Sequence, residues 1–183
     1  MEIRREKTAM ARKKPSAPTC WAFDQDLLKS TVFDWGCGKG EDSRWLKEHG
    51  YKIVSYDPFF DNTSVPDRVN FKAINTILLV YVLNVIECGE ERGGLLYDVG
   101  HMSKPGTTVV IAVPRKKHIA DRAKKSKWKK LNDGFVTKSN TFQKGYTLGE
   151  FIDSCTLIGE LKQVKKLSGS LVGVVEVKGL KNE

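Results

Sequence analysis

Several things are scarce in this chain, and each scarcity excludes something. No uninterrupted apolar run approaches the ~20 residues a membrane helix needs, so a spanning protein is not expected. Cysteine is limited to Cys20, Cys37, Cys88 and Cys155, with no C-x-x-C pair. That scatter indicates neither a zinc site nor a disulfide framework. His49, His101 and His118 are equally dispersed, and no metal site is expected. Met1 to Lys14 is basic without an apolar core, so it does not read as a secretory signal. A reducing, cytoplasmic home is the expectation. None of the four cysteines follows a proline, which argues against a cysteine nucleophile of the cytosine-C5 type.

The 183 residues suffice for one domain and not for two of ordinary size. The formal net charge is +9, from 31 Lys and Arg against 22 Asp and Glu. That charge is localised. Residues 1–14 hold six basic and two acidic residues, and residues 115–130 hold nine basic and one acidic. The rest of the chain is slightly acidic. Residues 1–18 read as a basic, flexible arm, and 19–183 as a single domain with a basic insertion at about 114–131.

Hydrophobic patterning gives alternating strands and helices. A short helix is expected at Trp21 to Leu28, and a buried strand at Thr31 to Trp35. A helix at Glu41 to His49 precedes a second strand at Tyr51 to Tyr56. The run Ile74 to Leu83 suits a strand buried on both faces. A helix interrupted at Gly93-Gly94 is expected from Glu90 to Met102, then a strand at Thr107 to Val113 stopped by Pro114. Thr147 and Glu150 have capping-box spacing for a helix reaching Ile158. Leu161 to Leu167 and Leu171 to Lys178 form a closing hairpin. This order predicts an α/β sandwich on a mostly parallel sheet, whose ligands sit at the carboxyl ends of the strands.

The most informative stretch is Asp34-Trp35-Gly36-Cys37-Gly38-Lys39-Gly40, directly after the first strand. Glycine permits positive φ and close ligand approach, and the following helix offers free N–H groups. Seventeen residues beyond Gly40, the second strand ends in Asp57, an acid placed to hold a ribose. The G-x-G-x-G spacing preceded by Asp34 resembles the first motif of class I S-adenosylmethionine-dependent methyltransferases. The resemblance implies a Rossmann-like fold and a loop from Asp34 through Trp35, Gly36, Cys37 and Gly38 to Gly40 that wraps the methionine moiety. Asp57 would then hold the ribose, and Pro58 or Phe59 would cover adenine. S-adenosyl-L-methionine is the implied cofactor and S-adenosyl-L-homocysteine the product.

Ser16-Ala17-Pro18, Asp34 to Asp42, Leu83-Asn84-Val85-Ile86-Glu87 and Thr141-Phe142-Gln143-Lys144 together resemble a narrower group, the methyltransferases associated with DNA phosphorothioation. Only about 18 residues separate Asp57 from Asn75, too few for a full helix and a third strand with their loops. The sheet is therefore expected to be shortened there, with a remnant strand at Arg68 to Ala73. Asp57-Pro58-Phe59-Phe60 superficially resembles an amine-methylating signature, but it lacks the second proline and reads as cofactor-binding.

The expected mechanism is direct methyl transfer, which needs an aligned nucleophile more than a reactive side chain. Asn84 is placed where the resemblance puts the reactive methyl, to contact cofactor and orient an acceptor amine or hydroxyl. Gln143 and Lys144 would reach the same mouth. The basic segment supplies Arg115, Lys116, Lys117, Arg122, Lys124, Lys125, Lys127, Lys129 and Lys130 for phosphates and Trp128 for a base. Ile119, Ala120, Ala123 and Trp128 show no single apolar stripe, so the segment is expected to be loosely ordered until it meets a partner. A nucleic-acid acceptor, DNA before RNA, is the leading expectation, with a protein partner for target recognition. A small-molecule or protein acceptor and a catalytically inactive nucleic-acid-binding module are the alternatives.

Overall fold

The computed structural model describes residues 2–9, 11–60 and 69–178. Its main sheet contains β1 (Thr31–Trp35), β2 (Lys52–Tyr56), β3 (Thr76–Val80), β4 (Thr108–Pro114), β8 (Glu160–Lys166) and β9 (Ser170–Glu176). The spatial order is β2-β1-β3-β4-β9-β8. The first four strands run parallel, and β9 pairs antiparallel with both β4 and β8. The expected Rossmann-like sandwich with a C-terminal antiparallel hairpin is thus the observed architecture.

Parallel central strands must be covered on both faces, and their sequences show it. All of β4 is buried, as are four of the five residues of β3. One face packs Leu96 and Val99 of α3 (Gly89–Met102) and Phe151 and Cys155 of α5 (Leu148–Thr156) against Phe33, Ile77, Ile111 and Val175. The other packs Ala22 of α1 (Ala17–Asp24) and Leu46 of α2 (Glu41–Glu48) against Val32, Leu78, Val110 and Val172. Burying side chains of this size contributes roughly 1.5–3 kcal/mol each.

Several boundaries depart from expectation. α1 begins at Ala17, not Trp21, because Ser16 caps it through the Thr19 N–H and Pro18 sits in its first turn. α3 runs unbroken through Gly93 and Gly94. The strand from Ile74 is confined to Thr76–Val80, and Pro114 ends β4 inside the sheet. The remnant strand is corrected to a 3₁₀ turn at Phe71–Ala73, and Arg68 lies outside the described residues. Among the described residues, β2 is one edge of the sheet and β8 the other.

The basic segment is also corrected. It forms α4 (Lys116–Ser126), seated by the buried pair Ile119 and Ala123. Those two residues are four apart on one helix face, so two small contacts suffice where a wider stripe was sought. α4 leads into an unexpected small antiparallel sheet of β5 (Lys129–Leu131), β6 (Gly134–Val136) and β7 (Phe142–Gln143). No helix among the described residues is long and apolar enough to cross a membrane.

Candidate active site

The strand order reverses between β1 and β3: the chain leaves β1 for β2 on one side and returns to β3 on the other. A crevice at the carboxyl ends of the two strands follows from that switch. The glycine loop follows β1, and the turn carrying Asn84 follows β3.

Gly36, Gly38 and Gly40 have φ of 78°, 56° and 75°. At Gly36 a Cβ would stand 2.5 Å from the Val82 side chain, so this glycine lets the loop pack against the β3 turn. The Gly36 and Cys37 N–H groups donate to the Tyr56 carbonyl, at 2.7 and 3.1 Å. Gly38 N–H donates to Asp57 Oδ2 at 2.9 Å, and Phe59 N–H to Oδ1 at 3.0 Å. The buried Asp57 carboxylate thereby ties the end of β2 to the loop after β1. Pro58 is exposed beside it, and Phe59 and Phe60 are about half exposed.

Asp34 lies beneath the loop and accepts a hydrogen bond from the Ser43 hydroxyl at 2.6 Å. Burial pushes its carboxyl up to about 7, with the Ser43 bond opposing. The Trp35 ring turns into the core against Phe33 and Phe71, so its backbone alone remains for a ligand in the loop.

Asn84 is 4% exposed on a 3₁₀ turn, Leu83–Val85. Its Nδ2 donates to Gln143 Oε1 at 3.2 Å, while its Oδ1 is buried with no hydrogen-bond partner. A buried unpaired acceptor costs about 1–3 kcal/mol, and functional sites are where such a cost persists. The turn is pinned from the small sheet. Lys144 N–H donates to the Asn84 carbonyl at 2.8 Å, and the Tyr146 hydroxyl to the Leu83 carbonyl at 3.4 Å. Just before the turn, Tyr81 adopts a φ of 60°, rare for an aromatic residue, with its hydroxyl 2.7 Å from that of Ser170.

Asn84, Gln143 and Lys144 are therefore together, with different tasks. The Lys144 side chain is buried and its ammonium donates to Asp133 at 2.8 Å and Glu150 at 3.2 Å, above the Tyr146 ring. Burial alone would raise the Glu150 carboxyl. Hydrogen bonds from Thr147 and Lys144 outweigh that and lower it to about 2. Arg92 joins the group through Asp133 and the Ile86 carbonyl. The Lys144 charge clamps the small sheet to α5.

The candidate nucleic-acid cations are all on the surface. Arg115, Lys116, Lys117, Arg122, Lys124, Lys125, Lys127, Lys129 and Lys130 are exposed along α4 and β5. Lys117 pairs with Asp121 at 2.8 Å, and the Arg122 guanidinium stands over the half-buried Trp128 ring. Only Arg115 separates the end of β4 from the start of α4, at the same carboxyl edge as the glycine loop.

Sequence reasoning missed Asp42. Its buried carboxylate accepts from Ser16 N–H at 2.6 Å, the Thr19 hydroxyl at 3.0 Å and Arg12 at 3.3 Å. The signal was present as a helix start at Ser16-Ala17-Pro18, whose first turn needs an acceptor nearby. Arg5 was missed as well; it bonds Glu87 at 2.9 Å and Glu91 through both terminal nitrogens.

The residues present fit S-adenosylmethionine. A turned glycine backbone after β1, a buried acid and exposed aromatic rings after β2 and an orphaned acceptor after β3 all lie at the carboxyl ends of neighbouring parallel strands. A family model described as a methyltransferase domain matches residues 3–150. Comparison with curated protein sequences gives no match. Among solved structures, the 1,6-didemethyltoxoflavin-N1-methyltransferase of Burkholderia thailandensis, bound to 1,6-didemethyltoxoflavin and S-adenosylhomocysteine, is similar at 12% identity. Its TM-score is 0.66, covering 88% of this chain and 77% of that one. A methyltransferase of Methanosarcina mazei described as S-adenosylmethionine-dependent is similar at 15% identity and a TM-score of 0.64, covering 85% and 97%. The magnesium protoporphyrin IX methyltransferase of Synechocystis, bound to S-adenosylhomocysteine, is similar at 15% and 0.59, covering 88% and 80%. At these identities the likeness is one of fold.

Proposed function

The chain belongs to the methyltransferase-domain family, and from that premise we propose that it methylates a nucleic acid, DNA in the first instance, with S-adenosylmethionine as donor. When bound, this cofactor supplies a methyl group already activated by its sulfonium. What remains for the protein is to hold, orient and exclude water. The glycine loop holds the methionine end through its backbone, with Asp34 beneath it. Asp57 receives the ribose hydroxyls, and Phe59 covers the adenine.

Asn84 Oδ1 accepts a hydrogen bond from the N–H or O–H group to be methylated, aiming its lone pair at the methyl. Gln143 fixes the Asn84 amide, and the Lys144 clamp keeps Gln143 in place. No side chain has to act as nucleophile.

The observation that carries the nucleic-acid acceptor is the cationic face of α4 and β5 at the edge of the crevice. Of its cations, Lys117 alone is paired with a carboxylate among the described residues. Unneutralised lysines and arginines in this density draw a phosphate backbone, and Trp128 offers a face for an unstacked base. The resemblance of LNVIE and TFQK to the phosphorothioation-associated group favours DNA.

A second reading rests on a cleft of about 520 Å³ lined by Glu87, Cys88, Arg92, Asn132 and Asp133, next to the Asn84 turn. It is large enough for a small-molecule acceptor. Two of the similar structures are methyltransferases named for small molecules.

The deciding experiment is methyl transfer from labelled donor across DNA, RNA and cell extract, followed by nucleoside mass spectrometry. A methylated nucleoside supports the proposal. Label confined to protein or small molecules overturns it.

A further inference from the structure

The N-terminal residues are not draped over the domain at random. Asp42 anchors one end of the segment through Ser16, Thr19 and Arg12, at the first turn of α2. From there the chain runs back across the glycine loop, where Ala9 Cβ lies 3.2 Å from the position a Gly38 Cβ would take. A 3₁₀ turn follows at Arg5–Thr8, closed by the Thr8 hydroxyl on the Arg5 carbonyl at 2.6 Å. Arg5 then grips Glu87 and Glu91, beyond the end of β3. Arg4 N–H finally donates to the Asn140 carbonyl in the small sheet lobe at 2.7 Å.

The path therefore spans the crevice from the end of β1 to the end of β3. It is fixed at both sides and touches the middle glycine of the loop. The far side is held by one guanidinium on two carboxylates and by the Arg4 backbone bond to Asn140. Arg5 is about a quarter exposed, and its planar fork matches the Glu91 carboxylate with two parallel hydrogen bonds. The Glu87 carboxyl is held below its ordinary range: burial would raise it, but the Arg5 hydrogen bond, a backbone hydrogen bond and the charges of Arg5 and Arg92 together outweigh that.

We propose that residues 4–9 form a strap across the methyl-donor crevice, that Arg5 with Glu87 and Glu91 is its catch, and that the strap lifts for donor entry and product exit. The space above Gly38 is where a ligand would approach the loop backbone, and Ala9 fills it here. A donor seated on the loop must displace Ala9, and the strap then recloses over it. Since the far attachment is an ion pair and one backbone hydrogen bond, and the Arg5–Thr8 turn buries no residue, lifting it breaks polar contacts. The Asp42 anchor, buried and triply bonded, stays in place as the hinge side.

The proposal rests on the glycine loop being the donor site, and its test separates the two. Binding and release of S-adenosylhomocysteine are followed by stopped-flow tryptophan fluorescence in the full chain, with Arg5→Ala and Glu91→Gln as variants. Amide hydrogen exchange at Arg4, measured without ligand, reports the catch by itself. The expected result is that both variants raise association and dissociation rates by about fivefold, the scale of one well-formed ion pair. Arg4 exchange accelerates in parallel. If wild type binds S-adenosylhomocysteine and both variants show unchanged rates, the strap is not a gate. If wild type does not bind it at all, the donor-site reading fails and the strap falls with it.

Discussion

Asp34 is the residue where burial and chemistry conflict most. Its carboxyl is pushed from the ordinary 3.8 up to about 7 by burial. The folded chain therefore holds a proton that the unfolded chain releases, and stability must fall as pH rises between those values. The loss begins near pH 4, is complete above about pH 7, and totals on the order of 4 kcal/mol. Asp34→Asn retains an acceptor for the Ser43 hydroxyl and removes the titration. Its melting temperature is expected to lack that decline between pH 4 and 7, so the variant gains on wild type as pH rises. Parallel melting curves for the two proteins would contradict the assignment. Asn84 poses the complementary case, a polar atom buried with nothing to bond. Asn84→Ala removes an unsatisfied group, so the melting temperature should change little. Labelled methyl transfer should fall on the order of 10²-fold, as when a preorganised orienting group is removed. Full activity in that variant would take Asn84 out of the acceptor site.

At the scale of elements, the capping box of α5 joins stability to the site. Thr147 accepts from Glu150 N–H at 3.2 Å, and Glu150 accepts from Thr147 N–H at 2.8 Å while also holding Lys144. Thr147→Ala should cost about 1 kcal/mol, seen as a fall of roughly 2–4 °C in melting temperature for a chain of this length. The same spacing was legible in the sequence, as were β1, α2, β2 and the C-terminal hairpin. Each of those carries a strong periodic or turn signal of its own. The strands β5, β6 and β7 are two or three residues long and fix no period, so no small sheet was expected. α4 was hidden because it buries only Ile119 and Ala123, and a helix seated by two residues needs no broad apolar face. The cofactor crevice was readable because its parts are contiguous motifs. Asp42, Arg5 and Glu91 were not, because what joins them is the path of the arm across the strand ends, a tertiary fact with no local pattern.

For the whole molecule, the meaning of the +9 charge depends on which cations are already satisfied. Arg4, Arg5 and Arg12 in the arm are each paired with carboxylates, respectively Glu6, the Glu87–Glu91 pair and Asp42. The Arg5 and Arg12 pairs hold the arm against the domain, and the Arg4–Glu6 pair lies within the arm. The cations of α4 and β5 point outward, and their two ring contacts, Arg122 on Trp128 and Lys130 on Phe135, leave the charge in place. Lys7, Lys13 and Lys14 of the arm are also exposed and make no ion pair among the described residues, so the field that a polyanion meets should come mainly, not wholly, from α4 and β5. Exchanging Lys124 and Lys125 for Ala is expected to weaken DNA binding. It should also flatten the dependence of log affinity on log salt, by about 0.9 for each phosphate that is no longer neutralised. Exchanging Arg4 and Arg12 for Ala should leave that slope unchanged, even though it removes the same amount of positive charge. Fluorescence anisotropy with a labelled duplex over a salt series distinguishes the two. Equal losses of affinity from both pairs would mean that DNA responds to net charge alone, and the oriented cationic face would then have no part in placing the acceptor.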